Sequence, residues 1–136
     1  MKLTFEFKNE EMDERTKLRV KQLIQSHKKL LDDFDVQISE LKITIRPYRP
    51  YYSYGVCYVA QKRISLRPWR GETPEEILGT FFHEFGHLVW SNTRSERRAE
   101  EVAEYLLQKS GVESDGRGAP RKIGRKTKKE GIGDEG

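Results

Sequence analysis

Two of the chain's three histidines, His83 and His87, stand four residues apart, and a glutamate, Glu84, directly follows the first. On an α-helix, positions i and i+4 lie on one face, one turn apart, so both imidazoles can reach a single metal ion. This H-E-x-x-H pattern offers two neutral nitrogen ligands for Zn2+, with a carboxylate beside them placed to act as a general base. A catalytic zinc takes three protein ligands and keeps its fourth position for water, so one ligand remains to be found. The candidates are carboxylates that follow in the chain, Glu96 and Glu100.

The elements that must position these groups are well marked. Thr73-Pro74-Glu75-Glu76 has a capping threonine, a proline suited to the first helical position and a glutamate that closes a capping box. The helix it predicts carries Ile77, Leu78, Phe81, Phe82, Phe85, Leu88 and Val89 over a wide arc, so it is largely buried. His83 and His87 share a narrow arc between those apolar residues, a dry and rigid platform for a metal. Gly86 leaves room beside the metal or lets a strand approach closely. Ser91-Asn92-Thr93 is turn chemistry. A second helix then runs from about Ser95 to Lys109 and stops at Gly111, capped by Ser95 or by Thr93 in a box with Glu96. So short a connection predicts an antiparallel hairpin. Glu96, Glu100 and Glu104 lie one turn apart on that second helix. Either Glu96 is the third ligand and Glu100 orients a liganding histidine, or Glu100 is the ligand and Glu104 the orienter. These glutamates could instead be surface charges paired with Arg97 or Arg98.

Upstream, Leu3–Phe7 and Leu41–Ile45 alternate as half-buried strands do. A helix is expected between them, from about Asp13 to Asp33, with His27 on or beside its apolar stripe as a packed or surface residue. Pro47 and Pro50 break regular structure. Tyr48, Tyr51, Tyr52 and Tyr54 either line a substrate cleft or pack a loop with their own rings. Gly55–Ala60 and Arg63–Arg67 read as two strands joined by a tight turn near Gln61 and Lys62. Cys57 is read as a small buried hydrophobe.

The whole chain has 136 residues, a net charge of +4 and 35% charged side chains. That suits one domain, residues 1–110, followed by a basic tail, residues 111–136. In the tail Arg117, Arg121, Lys122, Arg125, Lys126, Lys128 and Lys129 form a run without acids. Such a tail is either a solvating segment or a contact for nucleic acid or another polyanion. A single cysteine rules out an internal disulfide and fits a reducing compartment. The N-terminus has no signal-peptide pattern, and no apolar stretch is long enough to span a membrane. The expected location is the cytoplasm, with no membrane association.

His83-Glu84-x-x-His87 followed by Glu96-Arg97-Arg98-Ala99-Glu100 resembles the gluzincin pattern, H-E-x-x-H followed by E-x-x-A-[D/N]. It is most similar to ImmA/IrrE-type peptidases and the small minigluzincins. Leu106-Leu107 also falls where the ImmA/IrrE pattern has paired leucines. The resemblance covers roughly Gly55 to Leu107. It implies zinc ligands His83, His87 and Glu96, with Glu84 as the catalytic general base. It also implies an α+β, minimal zincin-like domain, in which a small mixed or antiparallel sheet packs on an N-terminal helix and an active-site helix, followed by a C-terminal glutamate helix. The expected activity is that of a zinc metalloendopeptidase, hydrolysing peptide bonds of a protein or peptide substrate by a metal-activated water. The substrate strand is expected along the edge of the Ile64–Leu66 strand, and no substrate-binding residue is assigned. The alternative is a zinc-stabilised, non-catalytic regulatory or nucleic-acid-associated binding protein.

Overall fold

A computed structural model of the chain describes residues 1–112. The basic tail expected from residue 111 onward therefore lies, beyond residue 112, outside the described residues. The order of elements is β1 (Lys2–Phe7), α1 (Glu14–Ser26), α2 (Lys28–Leu31), β2 (Glu40–Ile45), β3 (Gly55–Tyr58), β4 (Arg63–Leu66), α3 (Pro74–Val89) and α4 (Glu96–Ser110). The fold is α+β, with one small sheet and four helices among the described residues. None of these helices is long and apolar enough to cross a membrane.

The strands lie in the order β1-β2-β4-β3. β1 and β4 both run parallel to β2, and β3 pairs antiparallel with β4, so the sheet is mixed. The parallel pair β1-β2 needs a crossover, and α1 and α2 supply it. β4 is therefore an inner strand, paired on both sides, and cannot receive a further strand. This corrects the expectation that a substrate would pair with Ile64–Leu66; on this side of the sheet the free edge is β3. Burial explains the order: Ile64, Ser65 and Leu66 are all buried, whereas Val56 and Tyr58 of β3 are exposed, as suits an edge.

The single helix expected from Asp13 to Asp33 is broken at His27, between α1 and α2. Both Ser26 Oγ and His27 Nδ1 donate to the Leu23 carbonyl, at 2.8 and 2.7 Å. Side chains thus occupy the acceptor that the His27 amide would use in a continuing helix, and that amide turns to Ile24 O instead. The His27 ring meets Phe82 edge-on, so it is a packing residue.

The core lies between one face of the sheet and the helices. Leu41, Ile43, Ile45, Ile64 and Leu66 meet Ile77, Leu78, Phe81, Phe82 and Phe85 of α3, all at most 1% exposed. Burying a side chain of this size stabilises the fold by roughly 1.5–3 kcal/mol, so this layer holds α3 firmly. α4 closes the other side of α3 with Ala99, Val102, Ala103, Leu106 and Leu107.

Candidate metal centre

α3 begins where the sequence places it. Glu76 N donates to Thr73 Oγ1 at 3.1 Å and Thr73 N donates to Glu76 Oε1 at 2.9 Å, which completes the capping box. α4 is capped by Ser95, whose Oγ accepts from Arg98 N, rather than by a Thr93–Glu96 box. Thr93 N instead donates to Trp90 O and closes the connection between the helices. With no capping role, Glu96 at the first position of α4 turns its carboxylate back towards α3.

That carboxylate lies between the two histidines. Glu96 Oε1 is 2.8 Å from His83 Nε2, and Glu96 Oε2 is 3.1 Å from His87 Nε2. The imidazole centroids are 5.1 Å apart. One ligand atom from each of His83, His87 and Glu96 falls within 4.8 Å of the other two, a grouping that could hold a metal ion. On the opposite edge of the His83 ring, Nδ1 lies 2.8 Å from Glu100 Oε1. An Nδ1–H donated to Glu100 leaves the Nε2 lone pair facing His87 and Glu96, which is the tautomer a metal ligand needs. Glu104, one turn further along, is exposed. Of the glutamates in the sequence ladder, the structure thus brings Glu96 between the rings and Glu100 behind one of them.

Close helix packing makes this reach possible. A Cβ added to Gly86 would lie 2.5 Å from Ala99 O and 2.7 Å from Ala99 Cα. The α4 backbone at Ala99, three residues after Glu96, therefore rests directly on Gly86, one residue before His87. The sequence leaves this glycine to make space for the metal or for a strand; the element that approaches is a helix. The macrodipoles also agree, because His87 lies in the last turn of α3 and Glu96 in the first turn of α4.

The electrostatics describe a tight acid–imidazole cluster. Burial disfavours a charge on His83, but hydrogen bonds to Glu100 and Glu96, with the nearby Glu84 charge, outweigh it and raise its pKa to about 9. Partial burial likewise works against an ionised Glu96, but its bonds to His83 and His87 hold the carboxyl well below the usual range. Without metal, a proton on His83 Nε2 occupies the place a cation would take. Two imidazoles and a carboxylate suit zinc, which favours nitrogen and oxygen ligands in this number when a position is kept open.

Glu84 is 7% exposed and borders β3. A Cβ on Gly55 would come within 2.9 Å of Glu84 Cγ, 3.0 Å of Glu84 Oε2 and 3.0 Å of Thr80 Cγ2. Gly55 is thus part of the site's wall, which the sequence reading missed; a glycine opening a strand is a signal of close backbone approach. Cys57 faces the same side, and burial followed by the Glu84 charge pushes its thiol pKa up. It stays protonated, in keeping with a packing role. The tyrosine loop divides: Tyr54 stacks with Trp69 and packs on Tyr48, whereas Tyr51 is fully exposed.

Compared with known proteins, the chain matches no family model, no curated protein and no solved structure.

Proposed function

We propose that the chain is a zinc-dependent peptidase built on a minimal zincin-like domain. The observation that carries this reading is the Glu96 carboxylate held between His83 Nε2 and His87 Nε2, with Glu84 on the same helix beside the free edge of β3. His83, His87 and Glu96 would hold the ion, and Glu100 fixes the His83 tautomer through Nδ1. When bound, zinc would lower the pKa of a water at its open position and polarise a substrate carbonyl. Glu84 is the general base: it takes the proton of the attacking water and passes it to the leaving nitrogen. A protein or peptide substrate adds to the outer edge of β3, its backbone paired with Gly55–Tyr58, which brings a scissile bond alongside Glu84.

The test combines metal analysis with hydrolysis of a peptide library by the full chain. Purified protein is expected to hold one zinc. Glu96→Ala should lose it, and Glu100→Ala should keep it with affinity weakened roughly 10- to 100-fold. Glu84→Gln should retain zinc and lose hydrolysis; full activity in that variant would refute the base assignment. Bound zinc with no hydrolysis of any library member would favour a non-catalytic, zinc-stabilised binding protein. Absence of zinc from the wild type would overturn both.

A further inference from the structure

The helices cover only one face of the sheet. Ile43, Ile45, Ile64 and Leu66 point into the core, so strand alternation puts Lys42, Thr44, Arg63, Ser65, Val56 and Tyr58 on the opposite face. Arg46 and Arg67 directly follow Ile45 and Leu66 and carry the same alternation past the strand ends. There the segment 46–54 passes over the end of β4 to reach β3, tied down by Arg67 Nη1 donating to Pro47 O and Arg67 N donating to Tyr54 O.

This surface combines cations with flat rings. The Arg63 guanidinium lies 4.5 Å from the Tyr58 ring centroid, and that of Arg67 lies 4.7 Å from the centroid of Tyr52. Burial and then the charges of Arg46 and Arg49 push Arg67 below its ordinary pKa. None of the described ion pairs engages Arg46, Arg49, Arg63 or Arg67. Arg63 Nε is buried with no hydrogen-bond partner among the described residues. Tyr51 is 100% exposed, with a positive φ of 73° that a tyrosine rarely adopts. Arg63 and Arg67 recover part of the cost of their charge by stacking on Tyr58 and Tyr52, but the exposed Arg49 and the fully exposed Tyr51 ring make none of the described ion pairs or ring contacts.

A partner that carries repeated negative charges and flat apolar rings would answer both features. Thr44 and Ser65, in the middle of this face, are buried, so its accessible part is the rim at Arg63 and Tyr58 and the 46–54 loop. We propose that this rim, with the 46–54 loop, binds single-stranded nucleic acid. Its phosphates lie along Arg46, Arg49, Arg63 and Arg67, and its bases stack on Tyr51 and on the face of Tyr52 that Arg67 leaves uncovered. An acidic peptide would satisfy the arginines but leave the rings unused. In a duplex the bases are already stacked on one another and cannot reach them. This surface is built from described residues alone, and the proposal does not depend on the peptidase reading.

The test is fluorescence anisotropy of the full chain with a labelled oligothymidylate of about 15 nucleotides, read between about 50 and 200 mM salt. Arg49→Gln combined with Arg63→Gln should weaken binding at least tenfold and make the log–log salt slope shallower by about 1.4, at roughly 0.7 for each phosphate no longer neutralised. Tyr51→Ala should weaken binding about fivefold or more with the slope unchanged. Because Tyr51 is fully exposed, that variant should keep the wild-type melting temperature and zinc content. Wild-type binding in either variant would overturn the proposal and leave any affinity to the tail. Equal competition by polyglutamate or by a duplex of the same charge would overturn it too.

Discussion

Replacing Gly86 with alanine puts the packing account of the metal centre to its hardest test. In a solvent-exposed helix this change stabilises by about 1 kcal/mol through propensity alone. Here the new Cβ would lie 2.5 Å from Ala99 O, and unstrained contact begins near 3.4 Å, so α4 must retreat by about 0.9 Å, the difference of the two. Both partners are backbone in regular helices, and no flexible side chain can yield instead. Overpacking of this kind costs about 1–3 kcal/mol and sometimes more, so after the propensity gain the net effect should be a destabilisation of up to about 2 kcal/mol, or up to roughly 10 °C in melting temperature for a domain of this size. The same retreat carries Glu96 away from His83 and His87, whose contacts with it are now 2.8 and 3.1 Å. Zinc–oxygen bonds of about 2.0–2.2 Å tolerate little error, so zinc affinity should fall at least tenfold. Thermal unfolding with and without zinc, together with zinc titration against a chromophoric chelator, measures both effects. A Gly86→Ala protein that melts at or above the wild-type temperature and binds zinc equally well would refute the claim that α4 rests on this glycine and that the contact sets the site.

The other predictions concern charge. His83 has a pKa near 9 in the folded, metal-free state, against about 6.5 unfolded. Its contribution is therefore fully present below pH 6.5 and lost as pH rises through 9. The loss is on the order of 3 kcal/mol at about 1.4 kcal/mol per pKa unit. Glu96, shifted downward by the same contacts, contributes at neutral pH and loses that contribution only in acid. Metal-free protein should thus lose stability steadily from pH 6.5 to 9, while zinc-saturated protein should not; a flat metal-free profile in calorimetry would contradict the bridged imidazolium. Cys57, its thiol pKa raised by burial and the Glu84 charge, should react with iodoacetamide at pH 8 far more slowly in native than in denaturant-unfolded protein. Equal rates by mass spectrometry would show that the thiol is open.

Local chemistry was legible in the sequence because it obeys local rules. The Thr73-Pro74-Glu75-Glu76 start, the Gly111 stop and the strand alternation each follow from a few neighbouring residues, and α3, α4 and the strands appear within a few residues of where those rules put them. The ladder of Glu96, Glu100 and Glu104 was equally visible, but its phase was not. Whether Thr93 or Ser95 caps α4 decides how the carboxylates meet the imidazoles, and both cap residues were acceptable by sequence. The order β1-β2-β4-β3 was hidden because pairing is non-local, and so was the edge position of β3. The break at His27 escaped for a related reason: helical periodicity continues through it, and only the competition for the Leu23 carbonyl interrupts the backbone. The contact between Gly55 and Glu84 joins segments far apart in the chain and leaves only a glycine as its trace.

That last contact separates the site into two parts with different histories. His83, His87, Glu96 and Glu100 all belong to one helical hairpin, and His83 is only 13 and 17 residues from its two carboxylate partners. Closing so short a loop costs little entropy, so the half that would hold an ion can form as soon as α3 and α4 meet. The wall beside Glu84 waits for β3, which takes its place only through pairing with β4 and hence with the rest of the sheet. On the proposed reading, metal uptake during folding should therefore precede the assembly of the wall beside Glu84. An ion captured there would report on the hairpin, with the sheet still to answer.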